Sequence, residues 1–454
     1  MEKKLLCIFF LPLNIIATYG QSNVWEMPTV SIDTSIVRYW NQDKYFVYMV
    51  TQSGTKSFEF HDNVSNITYG ANLDPQVTIN DFQIGHDSIF AGGTVNLSGE
   101  KYGLLACFSI NDFLSGYSSA NYLIFQSSAS YFSSGFYNTI VEVKRIALYE
   151  YENSIRIAYI ADNHINHQPN YLPVAYYRSG YGDAAFLSTG WDVCNYYLNK
   201  DGTEVFTDIC TTESKILMTG PSCDSSLLKF QVFNKMRDFV QPYYSTHTIH
   251  YGFTDHRVLG KVMASHLFDD LVSLAYHYSD GTQGGLCVKT IDCNIPPVLL
   301  TSLEITEDTS NYTKWHMNDI RFDPVIEELL VLNKIEDPLS FVNSYVFQLG
   351  LPIAPTGTGV IEYIFQSTEI QSMDLFGPSK FITSGVSMSA SPILFNNLIG
   401  TPTTCGVYGA APVSTSFPKL NGASSHHHVT VLPFYTYGSY PLVITNKTIN
   451  TICQ

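Results

Sequence analysis

One strand–turn–strand pattern recurs along the chain and constrains its fold more than any other feature. Its clearest copy is Asn80–Gly93, NDFQIGHDSIFAGG, in which two short apolar strands flank a turn and the second ends on small residues. Weaker copies follow: TDICTTESKILMTG from Thr207, NDIRFDPVIEELLVL from Asn318 and SMDLFGPSKFITSG from Ser372. Each reads as the inner hairpin of a repeated antiparallel unit. The anchor positions Ile36, Phe82, Ile146, Ile209, Val262, Ile320 and Leu375 are separated by 46, 64, 63, 53, 58 and 55 residues. A period of this size, filled by about four strands, predicts a β-propeller. Variable spacing is cheap, because loops between strands absorb insertions at little entropic cost. The alternative, a pair of β-sandwiches, also gives many short strands but predicts no recurring internal motif.

Helical periodicity is nearly absent. The best helical stretch, Pro324–Leu332, is broken by its acidic pair and reads as a turn followed by the strand Glu328–Leu332. The expected fold class is therefore all-β, a seven-bladed propeller of four-stranded antiparallel blades over residues 21–400. Thr401–Gly422 is rich in Pro, Gly, Thr and Ser and reads as loop. Closing the ring removes exposed sheet edges. The last blade should therefore be completed either by Val24–Ser31 or by Val429–Phe434, within a C-terminal segment 401–454.

Residues 1–20, MEKKLLCIFFLPLNIIATYG, place two lysines before a short apolar run and end on small or polar residues. That is the layout of a secretory signal peptide, and it predicts a secreted or periplasmic protein. Pro12 and Asn14 break the run, and no later apolar stretch is long enough to span a bilayer. Without this leader the chain carries 22 basic and 39 acidic residues. That charge repels phosphate backbones, so nucleic acid is not an expected partner. Charged residues are scarce at 14%, matched by 14% aromatics, which suits strands with polar but uncharged outer faces. Eight cysteines follow the leader, an even number that permits disulfides. Cys287–Cys293, Cys210–Cys223 and Cys405–Cys453 are the candidate pairs, and Cys107 reads as a buried thiol. None shows zinc-motif spacing, and no metal or cofactor is expected.

The sequence resembles the β-propeller superfamily in general, and secreted bacterial propellers of unassigned function in particular, over most of Ser31–Leu398. It has no Trp-Asp blade endings, kelch double glycines or sialidase S-x-D-x-G-x-T-W boxes, so no family's functional residues carry over. In propellers of this kind the first strand of each blade lines the axis, which draws attention to the residue before each anchor: Asp81, Arg145, Asp208, Asp319 and Asp374. As acid/base groups, Asp81, Asp208, Asp319 and Asp374 are the catalytic candidates. The structural alternative, which weighs more, is that they pair with Arg145 and Arg257 around the ring. A second candidate surface is Asn163–Trp191, a Tyr-rich insertion whose Tyr171, Tyr176, Tyr177, Tyr181 and Trp191 offer flat faces among polar neighbours. It would suit a glycan or protein partner. The run His426–His428 reads as solvated, since adjacent residues on a strand face opposite sides. Two functions follow: a secreted binding or interaction propeller for a glycan or protein, or a glycan-processing hydrolase or lyase with axial carboxylates.

Overall fold

The computed structural model describes residues 23–26, 32–115 (save 43, 63 and 66), 119–126, 136–167 (save 152–153), 176–199 (save 188–189), 205–235 (save 223–226), 247–307 (save 280–283 and 295), 314–350 (save 337–341), 360–398 (save 366–367, 376–379 and 388–391), and six short strands between 407 and 453. The leader, Tyr171 and the side chains of Cys194, Cys223, Cys405 and Cys453 lie outside the described residues.

After a short strand β1 (Asn23–Glu26), the chain runs as successive antiparallel meanders. The first is β2 (Ile32–Asn41), β3 (Lys44–Thr51), β4 (Lys56–Asp62) and β5 (Ile67–Asn72). The second is β6 (Val77–Gly85), β7 (Ser88–Leu97), β8 (Glu100–Ser109) and β9 (Ser119–Gln126), with a short helix α1 (Ile110–Ser115) before β9. Next come β10 (Phe136–Tyr151), β11 (Ser154–His167), β12 (Tyr176–Leu187) and β13 (Gly190–Asn199). β14 (Asp208–Thr211), β15 (Lys215–Pro221) and β16 (Leu227–Asn234) pair with the first half of a long β17 (His247–His266). The second half of β17 opens the following meander with β18 (Leu271–Ser279), β19 (Gly284–Asp292) and β20 (Val298–Glu307). Then follow β21 (Lys314–Asp323), β22 (Glu328–Glu336), β23 (Val342–Gly350) and β24 (Val360–Phe365). β25 (Thr368–Leu375), β26 (Lys380–Ser387) and β27 (Pro392–Leu398) take β1 as their fourth strand, so the N-terminus closes the last sheet.

The first strands contact one another in a closed circuit: β2, β6, β10, β14, β17, β21, β25 and back to β2. This is a β-propeller, with four-stranded sheets set around an axis. Apolar layers join neighbouring sheets around the ring. Phe46, Tyr48 and Phe58 of the β2 sheet pack on Phe82, Leu104 and Phe108 of the β6 sheet. The alternate residues Tyr45 and Val47 pack instead on Ile382 and Val386 of the β25 sheet. Likewise Leu105 and Cys107 face Val143 and Tyr159 of the β10 sheet, away from the first layer. A strand buried on both faces needs apolar residues at consecutive positions, which is why YFVYM and GLLACF show no polar alternation. The low charge content follows from this two-sided burial rather than from uncharged polar outer faces.

Thr401–Gly422, expected to be loop, supplies two outer strands instead. β28 (Val407–Ala411) pairs with β24, and β29 (Ser414–Ser416) with β20. β30 (Ala423–Val431) pairs first with β17 and then with β13, carrying His426–His428 in its ladder. β31 (Phe434–Pro441) joins β9, β32 (Val443–Lys447) joins β5 and β33 (Asn450–Cys453) joins β1. The C-terminal segment thus does not complete the last sheet alone. It girdles the molecule, adding an outer strand to the sheets in reverse order.

Cys107, Cys210, Cys287 and Cys293 are buried free thiols. Cys287–Cys293 is not a closed loop, because β19 runs straight through Asp292. Six nearly extended residues span roughly 20 Å, whereas a disulfide needs α-carbons within about 7 Å.

Candidate functional site

Most of the first strands share one irregularity near the axis. Pairing shifts between Ile79 and Asp81, Val143 and Arg145, Leu259 and Val262, Met317 and Asp319, and Ile370 and Ser372. Each shift is a bulge that leaves extra residues unpaired and re-aims their side chains: Asn80, Lys144, Gly260–Lys261, Asn318 and Gln371. Most of these side chains staple neighbouring sheets. The Asn80 amide donates to the Val143 carbonyl at 2.9 Å, Asn318 to Ile370 at 2.7 Å and Gln371 to Asp33 at 3.0 Å. Thr207 does the same through its hydroxyl, 2.8 Å from the Val262 carbonyl.

Below the bulges lies a buried ionic layer. Arg38 Nη2 is 2.9 Å from Asp81 Oδ1, and its Nη1 is 3.6 Å from Asp319 Oδ2. Arg145 lies 3.9 Å from both Asp81 and Asp208. Arg321 is 2.6 Å from Asp319 and 3.0 Å from Asp374. The carboxylates also accept backbone N–H groups from the next sheet: Ile146 to Asp81 at 3.1 Å, Ala264 to Asp208 at 2.7 Å, Met373 to Asp319 at 3.1 Å and Tyr39 to Asp374 at 2.7 Å. These side chains knit the ring together.

The structure thus gathers Asp81, Asp208, Asp319 and Asp374 at the axis, with two corrections. Asp374 is not equivalent to the other three. The bulge at Gln371 puts Ser372 at that level and drops Asp374 beside Arg321. Arg257 is exposed on β17 and takes no place in the layer; Arg38 and Arg321 take it instead. Only the residue before each anchor drew attention in the sequence, whereas Arg38 lies two residues after the anchor Ile36 and Arg321 two residues after Asp319.

Four carboxylates face three guanidinium groups here. Burial pushes the carboxyl of Asp319 up, but Arg321, Arg38 and Arg145 outweigh it and hold the group below its ordinary range. Asp208 is the under-compensated member. Its burial outweighs Arg145 and the Ala264 N–H, and its pKa rises to about 6.

The ionic layer separates two cavities. That on the far side, about 350 Å³, is lined by Gln83, Thr211, Arg321 and Asp374. The wider one, about 490 Å³, opens on the bulge side and is lined mainly by polar groups, including Asn80, Lys144, Lys261, Asn318 and Gln371. Its rim acids are engaged, Glu142 by Lys101 at 2.7 Å and Glu369 by Lys334 at 3.0 Å, while Lys144 pairs with Asp162 at 2.6 Å. Lys261 has no hydrogen-bond or ion-pair partner among the described residues. Gly260, at φ +79°, forms the bulge that carries it, a conformation open to glycine. Lys261 is solvent-accessible, yet the mouth walls crowd it; partial burial, then Arg145, lowers its pKa.

The Tyr-rich insertion is not a single loop. Backbone pairing places Tyr177 opposite His164, which pairs with Thr139, at the end of the β10 sheet beside the wide mouth. Tyr181 lies level with Arg145 through Ile160, and Trp191 pairs with Phe186 near the opposite end. Tyr176 and Phe186 are ten residues apart on one strand, roughly 33 Å. The named aromatics therefore form no common platform at backbone level.

No protein-family model matches the chain, and no curated protein matches it. Among solved structures it is similar to the WD40 domain of SCAP from fission yeast, at 9% identity and TM-score 0.38, covering 86% of this chain and 94% of that one. It is also similar to an ancestral GH74 enzyme, at 10% identity and TM-score 0.34, covering 82% of this chain and 57% of that one.

Proposed function

We propose that this chain is an exported, seven-bladed binding propeller whose ligand enters the wide axial mouth, and that the ligand is a glycan or protein segment carrying an anionic group. The observation that carries this reading is Lys261, an ammonium with no partner among the described residues, on a bulged strand at a polar cavity whose acids are already engaged. The projecting end of the β10 sheet, with the Tyr176 and Tyr177 backbone positions beside the mouth, would extend the contact. Export rests on the layout of residues 1–20. The test is a glycan array of neutral and acidic members probed with the mature chain and with Lys261→Gln. A charge-assisted contact contributes about 1.5–3 kcal/mol, so binding to acidic members should fall on the order of 10- to 100-fold in the variant. Equal binding by both proteins would exclude the mouth.

The alternative, a glycan-processing hydrolase or lyase, is favoured by one observation, the raised pKa of Asp208. Against it, Asp81, Asp319 and Asp374 are bound to guanidinium groups and backbone N–H groups, which leaves no free carboxylate pair in this set.

A further inference from the structure

A second polar cluster lies away from the axis, where β17 passes from one sheet to the next. Leu228 of β16 pairs with Phe253 and Leu227 with Arg257, so the pairing skips residues 254–256 and frees His256 from that ladder. Its ring stacks on Tyr278 at 4.1 Å between centroids, and Nδ1 lies 3.4 Å from the Tyr276 hydroxyl. Nε2 is 3.5 Å from Glu304 Oε1. Cys287 is the direct ladder partner of Glu304 on one side and of Tyr276 on the other, which puts these side chains on one face as neighbours. The donor atoms of His256, Cys287 and Glu304 all lie within 4.8 Å of one another. Cys287 is buried, whereas the His256 and Glu304 side chains keep 10% and 16% of their exposure, so the cluster has an open side.

We propose that His256, Cys287 and Glu304 form a three-ligand site for a divalent metal of the zinc class. Imidazole nitrogen, thiolate sulfur and carboxylate oxygen are the donors that zinc takes, at about 2.0–2.3 Å in tetrahedral geometry. Those lengths imply donor separations of roughly 3.3–3.6 Å, and the His256–Glu304 pair already stands there. A proton on Nδ1, donated to the Tyr276 oxygen, leaves the Nε2 lone pair for the metal; such outer partners orient ligating histidines. Binding releases the thiol proton of Cys287 to solvent, and the fourth position is left to water or an exogenous ligand. Lys289, which donates to Ser302 at 3.1 Å, adds a positive charge beside Cys287. That makes the site weaker than a closed four-ligand centre. No sequence motif announces it, because its ligands come from three strands.

The test uses the full chain stripped with chelator and titrated with Zn²⁺ and Co²⁺. The expected result is one equivalent bound, with a cobalt spectrum of tetrahedral intensity carrying a thiolate charge-transfer band. Cys287→Ser should abolish that band and weaken Zn²⁺ binding at least tenfold. Tyr276→Phe, which keeps all three ligands and removes only the hydroxyl that His256 Nδ1 donates to, should weaken it on the order of 10-fold and keep the band. Cys107→Ser and the triple change of His426, His427 and His428 to Gln should leave both readouts intact. Less than stoichiometric binding, a band that survives Cys287→Ser, or metal lost with His426–His428 would overturn the proposal. If Cys287→Ser does not fold, unchanged affinity in Tyr276→Phe would overturn it as well.

Discussion

Gly93 on β7 lies against Thr78 on β6 so closely that a β-carbon at Gly93 would fall 1.9 Å from the Thr78 carbonyl oxygen. The same relation holds for Gly220 with Val205, at 1.9 Å, and for Gly385 with Glu369, at 2.2 Å. At Gly93 and Gly385 the close approach lies beside the bulge of the first strand, and in all three cases the second strand can accept the neighbouring backbone only without a side chain. Gly93→Ala should therefore destabilise the fold by roughly 3 kcal/mol or more, beyond ordinary overpacking, because backbone rather than a side chain must move. The urea midpoint of the variant, compared with that of the parent chain, checks this; equal midpoints would contradict it.

The axial layer makes a second prediction. Removing the Asp319 carboxylate leaves Arg38 and Arg321 without their shared partner in a buried site. Breaking one side of such a pair costs about 3–5 kcal/mol. Asp319→Ala should lose that much stability in chemical denaturation, whereas Glu150→Ala, which removes an exposed partner of His86, should stay within about 0.5 kcal/mol.

Asp208 gives a prediction in pH. Its folded pKa, about 6, lies above the ordinary aspartate value of 3.8, so the folded state holds this proton longer than the unfolded state. Its contribution to stability is present below pH 3.8 and is lost as pH rises through about 6. His61 and His277, whose pKa values burial lowers to about 4, act oppositely: their contribution is present above pH 6.5 and is lost as pH falls through about 4. The clean readout is thus the difference between Asp208→Asn and the parent chain. Relative to the parent, the variant should gain stability between pH 4 and pH 7, by at most roughly 3 kcal/mol. A pH-independent difference would contradict the raised pKa.

The C-terminal girdle covers the outer edges of the sheets. Unpaired strand edges template association with other chains. Deleting residues 401–454 should convert the protein to oligomers or aggregates in light scattering, with the β-sheet signal retained. A monodisperse truncated monomer would show that the girdle is dispensable for edge protection.

The recurring hairpin was legible because its pattern is local: strand, turn, strand, and a final small residue that the bulge requires. The bulges themselves were not, since nothing in NDF or QSMD marks which residue drops out of the ladder. That single uncertainty misplaced Asp374. Arg38 and Arg321 escaped notice because their partners are 43 or more residues away on other sheets, or two residues along the same strand. The girdle was hidden by composition. Its strands are short and rich in Gly, Ser and Thr, and they gain their pairing from edges that exist only once the sheets have formed. Low charge was visible at once, but its cause, burial on both faces of the strands, needed the packing.

The central claim, a propeller that binds at its axial mouth without turning its ligand over, is tested most directly by analysing the products of whichever glycans the chain retains on an array. Intact ligand is expected after prolonged incubation with the parent chain, with binding that falls on the order of 10- to 100-fold in Lys261→Gln, as expected for a charge-assisted contact, but is kept in Asp208→Asn. Cleaved ligand from the parent chain, with cleavage abolished by Asp208→Asn or Asp81→Asn, would contradict it and establish the hydrolase reading instead.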